Sequence, residues 1–413
     1  MIFVIRLALA QDGGSFTELA DQLKKNQFQA DVSVFKRRCE RPRSSLFERA
    51  QEGSHAFEVM PVTLLADFES LNKKGQMESL PAVLRISLAS GQFEFRPVYL
   101  LQRGISRKDS CEAPPLKIKF LKQEIADSIQ MLLASSSAPI DSSEYLQKYY
   151  EELLKYKNVS AQSFQVPQGS YFSYLGSDIK LVTHCGKSNW DQVGGSTVEE
   201  QHQRVLSELT LYKILDLLQT PSESTRLVAI HYLNPSAKNF FSEQDSSKWG
   251  PGIRLGFFRE PSASIAERCR LSRTLTSRPG HDKSFPDQAS MFQAEFLNRF
   301  LINNDYDFVN HNVNIFYDKN GYSIFGIYDF DLSGVIQENY FKNKLTLEEN
   351  FEEFRQFILN SNETYVQNML QLVLSKKNEI QQMIDLSSVS SQKKKRMQQW
   401  FDLYMSHLQS FKK

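Results

Sequence analysis

Acidic and amide side chains crowd one short stretch, NNDYDFVNHNVNIFYDKNGYSIFGIYDFD, which runs from Asn303 to Asp331. Asp305 and Asp307 precede Asn312, the second of them as D-x4-N, and Asp329 and Asp331 flank Phe330 further on. Carboxylates set beside a Phe- and Tyr-rich segment are costly unless something offsets their charge. A divalent cation is the usual solution, and hard oxygen ligands of this kind suit Mg²⁺. His311 lies inside the same loop and reads as a structural hydrogen-bonder rather than a base.

These residues need a rigid mount. The stretch begins on an apolar helix over 289–302 that carries Phe296, Leu297, Phe300 and Leu301. Two strands follow, VNIFYD and YSIFGIYDFD, turned at Lys319-Asn320-Gly321, and Asn-Gly is a strong hairpin signal. The pattern brings Asn312 and Asp329 to the same end of one ribbon.

The whole chain sets limits on what this centre serves. With 413 residues it can form one large domain or two ordinary ones. Its 49 Lys and Arg nearly balance 48 Asp and Glu, so no global field points to nucleic acid. No apolar run is long enough to span a bilayer. The opening MIFVIRLALA, ending Ala8-Leu9-Ala10, reads as the tail of a signal peptide, residues 1–10, which predicts a periplasmic or secreted protein. Cys39, Cys111, Cys185 and Cys269 have no zinc-like spacing. Export would permit one or two disulfides, which the sequence does not pair.

Along the chain, a polar lead-in occupies 11–56 and clusters Lys36, Arg37, Arg38, Arg41 and Arg43. A β-rich segment follows over 57–260. Leu84, Ile86 and Leu88, then Phe93 and Phe95, alternate with polar residues as a hairpin with one buried face, and Leu116, Ile118 and Phe120 repeat the pattern. A helical pair is inserted at 121–165. Strand DIKLVTHC carries Lys180. A helix starting at Ser196 or Thr197 has capping-box partners at Glu199 or Glu200, and a buried stripe of Val205, Leu209, Tyr212 and Leu215. Glu208 falls on or beside that stripe. Strands 226–233 and 253–260 precede a helical segment over 261–413 that contains the hairpin. Strands first and helices afterwards predict an α+β fold in two lobes.

Phosphoryl-transfer enzymes of the protein-kinase type use an ordered set of parts: a strand lysine, a helix glutamate, a catalytic Asp, a metal-binding Asn and a further metal-binding Asp. Lys180, Glu208, Asp307-x4-Asn312 and Asp329 follow that order. The segments RGISRKDSCEAPPLKIKF, SDIKLVTHC, SELTLYKILDLL with RLVAIHYL, GFFRE, and INNDYDFVNHNVNIF with GIYDFDLSGVI carry a resemblance to the spore coat protein H (CotH-like) kinases, closest to their uncharacterised bacterial homologues, over roughly 60–340.

The resemblance implies a two-lobed protein-kinase-like fold, with a β-rich N-lobe and a helical C-lobe. It also implies ATP- and Mg²⁺-dependent phosphorylation of Ser or Thr in a protein substrate. Asp307 or Asp305 would be the catalytic Asp, Asn312 and Asp329 would hold the metal, and Lys180, oriented by Glu208, would hold phosphate. No G-x-G-x-x-G loop is present. Arg103 and Arg107, in Arg103-Gly104-Ile105-Ser106-Arg107, are candidates to bind phosphate in its place or are ordinary exposed charges. The rival readings are an inactive binding module of the envelope or cell surface, and a transferase of AMP.

Overall fold

Seven strands carry alternating apolar residues, and the chain closes them on each other. The computed structural model describes residues 39, 43–48, 55–71, 79–87, 91–103, 115–156, 172, 178–183, 197–218, 221–241, 252–273, 285–303, 305–306, 312–319, 322–330, 333–336 and 345–411. In order they form α1 (Ser45–Glu48), β1 (Met60–Ala66), α2 (Phe68–Leu71), β2 (Leu80–Ser87), β3 (Phe93–Gln102), β4 (Leu116–Phe120), α3 (Gln123–Leu133), α4 (Ser143–Leu154) and β5 (Asp178–Val182). Then come α5 (Val198–Leu218), β6 (Thr225–Leu233), β7 (Ile253–Arg259), α6 (Ser262–Arg268), β8 (Ser272–Arg273), β9 (Phe285–Pro286) and α7 (Gln288–Phe300). The chain ends with β10 (Val313–Tyr317), β11 (Tyr322–Ile327), α8 (Leu347–Leu359), α9 (Glu363–Ser375), α10 (Lys377–Leu386) and α11 (Ser391–Ser410).

The expected two-lobed kinase-like fold, with a β-sheet N-lobe, is not what forms. Strands β1-β2-β3-β4-β5-β7-β6 make a closed barrel, because β6 pairs parallel with β1 from Met60↔Val228 to Leu65↔Leu233. The other barrel pairings are antiparallel. Closure removes both edges of the sheet. A second sheet, β8-β10-β11-β9, holds the hairpin.

Alternation along the strands explains the layers. Val62 and Leu64, Leu84 and Ile86, Val98 and Leu100, Leu116 and Ile118, Ile179 and Leu181, Val228 and Ile230, and Phe258 fill the barrel interior. The opposite faces are covered too. Leu65, Val83, Phe95 and Tyr99 take the α3–α4 pair, and Leu227, Leu255 and Phe257 take α5. Leu46 and Phe47, in the expected polar lead-in, are fully buried in the barrel core.

Gly256 lets β5 approach β7, since a Cβ there would meet the Val182 carbonyl at 2.8 Å. Helix α5 starts at the expected capping box: Thr197 Oγ1 accepts from the Glu200 N–H at 3.2 Å, and Glu200 Oε2 accepts from the Thr197 N–H at 2.7 Å. It is buried almost all round, including Ser207, Glu208, Thr210 and Lys213. The barrel wall lies on one side, and Met369, Ile380, Trp400 and Tyr404 of the later helices join the same core.

The hairpin is held on two sides. Ile315, Tyr317, Phe325 and Ile327 join the α5–α7 core. Phe316 and Ile324 pack with Ile265, Cys269 and Cys39. Cys39 and Cys269 form a disulfide. Cys111 and Cys185 lie outside the described residues, as do the signal-peptide stretch, Arg107 and Asp307.

Candidate functional site at the barrel wall and hairpin end

Register fixes a basic row on the outer wall of the barrel. Lys117 of β4 pairs with Lys180 of β5, and Lys180 with Arg259 of β7. Their neighbours Leu181 and Phe258 point into the barrel, so by strand alternation Lys180 and Arg259 point outward. Val182 and Phe257, on that outer face, pack under α5. Arg103, just after β3, adds a further cation, and Coulombic interaction links it to Arg259, Asp329, Glu223 and Tyr212. Burial and the charge of Arg259 both push the Arg103 guanidinium below its ordinary pKa.

One buried acid gathers the row. Glu223, 2 % exposed, sits in the short link between α5 and β6. Its Oε1 lies 3.6 Å from Lys180 Nζ and accepts from Asn314 Nδ2 at 3.0 Å. Its Oε2 contacts Arg259 Nε. Burial pulls the Arg259 guanidinium down, but the charge of Glu223, with Tyr212 and Asp329 behind it, holds it above its ordinary value. The Tyr328 ring covers this cluster, 4.9 Å from the Arg259 guanidinium and 5.5 Å from Lys180 Nζ.

The hairpin end faces the row. Arg259 Nη1 donates to the Tyr212 hydroxyl at 2.6 Å, and the same oxygen accepts the Asp329 N–H at 2.8 Å. Asp329 and Asn312 both hold positive φ, 66° and 59°. Asp and Asn tolerate this region better than other non-glycine residues. Such conformations cluster where surrounding structure over-determines a functional residue. Tyr328 N–H donates to the Asn312 carbonyl at 3.0 Å, which places the two residues at the facing strand ends. Asn312 Nδ2 donates to the Asp305 carbonyl at 2.5 Å and reaches its Oδ2 at 3.4 Å.

Of the residues named from sequence, Lys180, Arg103 and Asp329 share this cluster, and Asn312 and Asp305 adjoin it. Glu208 lies on α5 one turn before Tyr212, 1 % exposed, and its charge reaches the Tyr212 hydroxyl. The acid within ion-pair distance of Lys180 that sequence reasoning missed is Glu223. Nothing local marks it, because it sits in a polar TPSES link that reads as a turn. Arg259, Asn314 and Tyr328 were missed as well, and Tyr212 reads from sequence as core only.

The oxygen donors fit a hard divalent cation. The Asn312 amide nitrogen is committed to Asp305, which leaves its oxygen for a cation, and the backbone pairing of Tyr328 with Asn312 sets Asp329 at the facing strand end. Among the described residues no group of three His, Cys, Asp or Glu is gathered as a metal cage. A one- or two-carboxylate site completed by substrate phosphates is the pattern Mg²⁺ favours. No protein-family model matches the chain, and a search of curated proteins finds no match.

Proposed function

We propose that this chain is an ATP-dependent phosphotransferase that moves the γ-phosphoryl group to a Ser or Thr hydroxyl of a protein. The observation that carries the reading is the meeting of a three-cation wall, Lys180, Arg259 and Arg103, with Asp329 and Asn312 at one hairpin end. Cations on one side and oxygen donors on the other suit a polyphosphate better than a neutral or cationic ligand.

In this reading Lys180 and Arg103 take phosphate oxygens, and Glu223 keeps Lys180 aimed. Asn312 and Asp329 would hold Mg²⁺, which when bound neutralises charge on the phosphates. Asp307, or Asp305 in its place, orients the acceptor hydroxyl and takes its proton. The hydroxyl oxygen bonds to the γ-phosphorus in line as the bond to the β-bridging oxygen breaks, and ADP leaves with that electron pair. The resemblance to CotH-like kinases supports this chemistry through the motif residues, independently of fold.

The Cys39–Cys269 disulfide supports a periplasmic or secreted location, since disulfides persist in oxidising compartments. The same observation favours a second reading, a catalytically inactive binding module, because ATP is scarce there. Incubation with ATP labelled at either the γ- or the α-phosphate, with Mg²⁺ or Mn²⁺, separates the readings. Transfer of γ-label supports the kinase, transfer of α-label indicates an AMP transferase, and neither transfer nor nucleotide binding supports the module.

A further inference from the structure

The Tyr212 hydroxyl touches both halves of the site. It lies wholly buried on α5, and its hydroxyl accepts a guanidinium proton from Arg259 on the barrel and the backbone N–H of Asp329 on the hairpin. Its ring stacks edge-on to Phe330, the next residue along, with centroids 5.2 Å apart. Asp329 needs such a hold. At φ 66° it occupies a region that side-chain-bearing residues adopt only when their surroundings fix it. A buried backbone N–H without an acceptor is strongly disfavoured.

We infer that Tyr212 is the positioning residue for the metal site: through the Asp329 amide it fixes the left-handed turn that aims the Asp329 carboxylate, and through Arg259 it ties that turn to the barrel wall. This rests on the phosphotransferase reading. It adds that cation affinity is set by a hydroxyl that touches neither cation nor nucleotide. Without the hydroxyl the Asp329 backbone N–H loses its partner, and the turn that carries the carboxylate is no longer fixed.

Tyr212→Phe removes one oxygen and keeps the ring. The control is Tyr404→Phe, which deletes another buried hydroxyl, one with no hydrogen-bond partner among the described residues. Affinity for the ATP analogue AMP-PNP is measured by titration calorimetry with Mn²⁺ and with EDTA. Amide hydrogen exchange at Asp329 is followed in the same proteins. Tyr212→Phe is expected to weaken Mn²⁺-dependent binding about tenfold, the worth of one such hydrogen bond. It should leave metal-free binding unchanged and speed exchange at Asp329 but not at Tyr328. Tyr404→Phe should change none of these.

Equal loss with and without metal would make Tyr212 merely structural and overturn the inference. So would an unchanged Mn²⁺-dependent affinity in a wild type that binds the nucleotide. A wild type that binds neither metal nor nucleotide overturns the phosphotransferase reading and the inference together. Should Tyr212→Phe not fold, rapid exchange of the Asp329 amide in the folded wild type overturns the inference on its own.

Discussion

Replacing Glu223 by Gln isolates the acid on which the barrel side of the site depends. The carboxylate and the Arg259 guanidinium are each 2 % exposed and in contact. Removing the negative charge leaves Arg259 inside the protein with the Tyr212 hydroxyl, two aromatic rings and only the more distant charge of Asp329 as company. Breaking a buried pair this way costs roughly 3–5 kcal/mol, because the surviving charge stays desolvated. Lys180 is 17 % exposed, so it can turn toward water and adds at most about 1 kcal/mol. Gln retains an acceptor for Asn314. The total, about 4 kcal/mol, is a large share of the roughly 5–15 kcal/mol of a typical fold.

Urea unfolding at pH 7 with the disulfide intact should report that loss as a lower midpoint. Combining Glu223→Gln with Arg259→Met should recover about 2–3 kcal/mol of it, since the orphaned charge is then gone as well. A Glu223→Gln protein within about 1 kcal/mol of wild type, or a double variant no better than the single, would refute the claim that these two charges are buried against each other.

Other outcomes follow from single groups. Tyr404→Phe should leave stability unchanged or raise it by up to about 1 kcal/mol, because its buried hydroxyl has no hydrogen-bond partner among the described residues; a thermal melt checks this. Burial pushes the Lys213 ammonium from 10.5 down to about 7, with Asp216 opposing and Arg226 and Arg43 adding to the fall. Between those values the unfolded chain holds a proton that the folded one does not, so stability should rise with pH, by up to about 1.4 kcal/mol per unit, and level off below pH ~7. Lys213→Met should flatten that rise in urea melts from pH 7 to 10. The Cys39–Cys269 bond spans 230 residues. Its reduction, or Cys39→Ser, should cost roughly 2–5 kcal/mol, and the Cys39→Ser protein should be indifferent to added reductant.

Local signals were legible and long-range ones were not. The α5 and α8 capping boxes form where Thr197-x-x-Glu200 and Thr346-x-x-Glu349 stand. The two expected hairpin strands pair antiparallel, with Ile315 opposite Phe325. The α3–α4 insert follows from helical periodicity, and the expected α5 stripe of Val205, Leu209, Tyr212 and Leu215 is buried, but so are the other faces of that helix. Barrel closure did not show. Alternation in β1 or β2 marks two faces, but the same pattern serves an open sheet and a closed one. Closure rests on β1 meeting β6 across more than 150 residues. The second burial of the strands also hid: Leu65 and Val83 are ordinary strand residues until α4 covers them. The site divides in the same way. Asn312 and Asp329 declared themselves by flanking a hairpin, and Lys180 by its place in an order of parts. Glu223 and Arg259 needed the barrel register to bring them together, and Tyr212 could not be told from its apolar neighbours on one helix face.

The central claim is that the barrel wall and the hairpin end together hold a metal–triphosphate for transfer. Its most direct measurement is the thermal shift and label transfer of wild type against Asp329→Asn with γ-labelled ATP and Mg²⁺. Wild type should be stabilised by Mg²⁺-ATP and should transfer γ-label to a protein hydroxyl. Asp329→Asn should melt near the wild-type temperature without nucleotide, since it keeps the side chain's shape, and should lose both the Mg²⁺-ATP shift and the transfer. A wild type with no shift and no transfer, or an Asp329→Asn protein that keeps both, would contradict it.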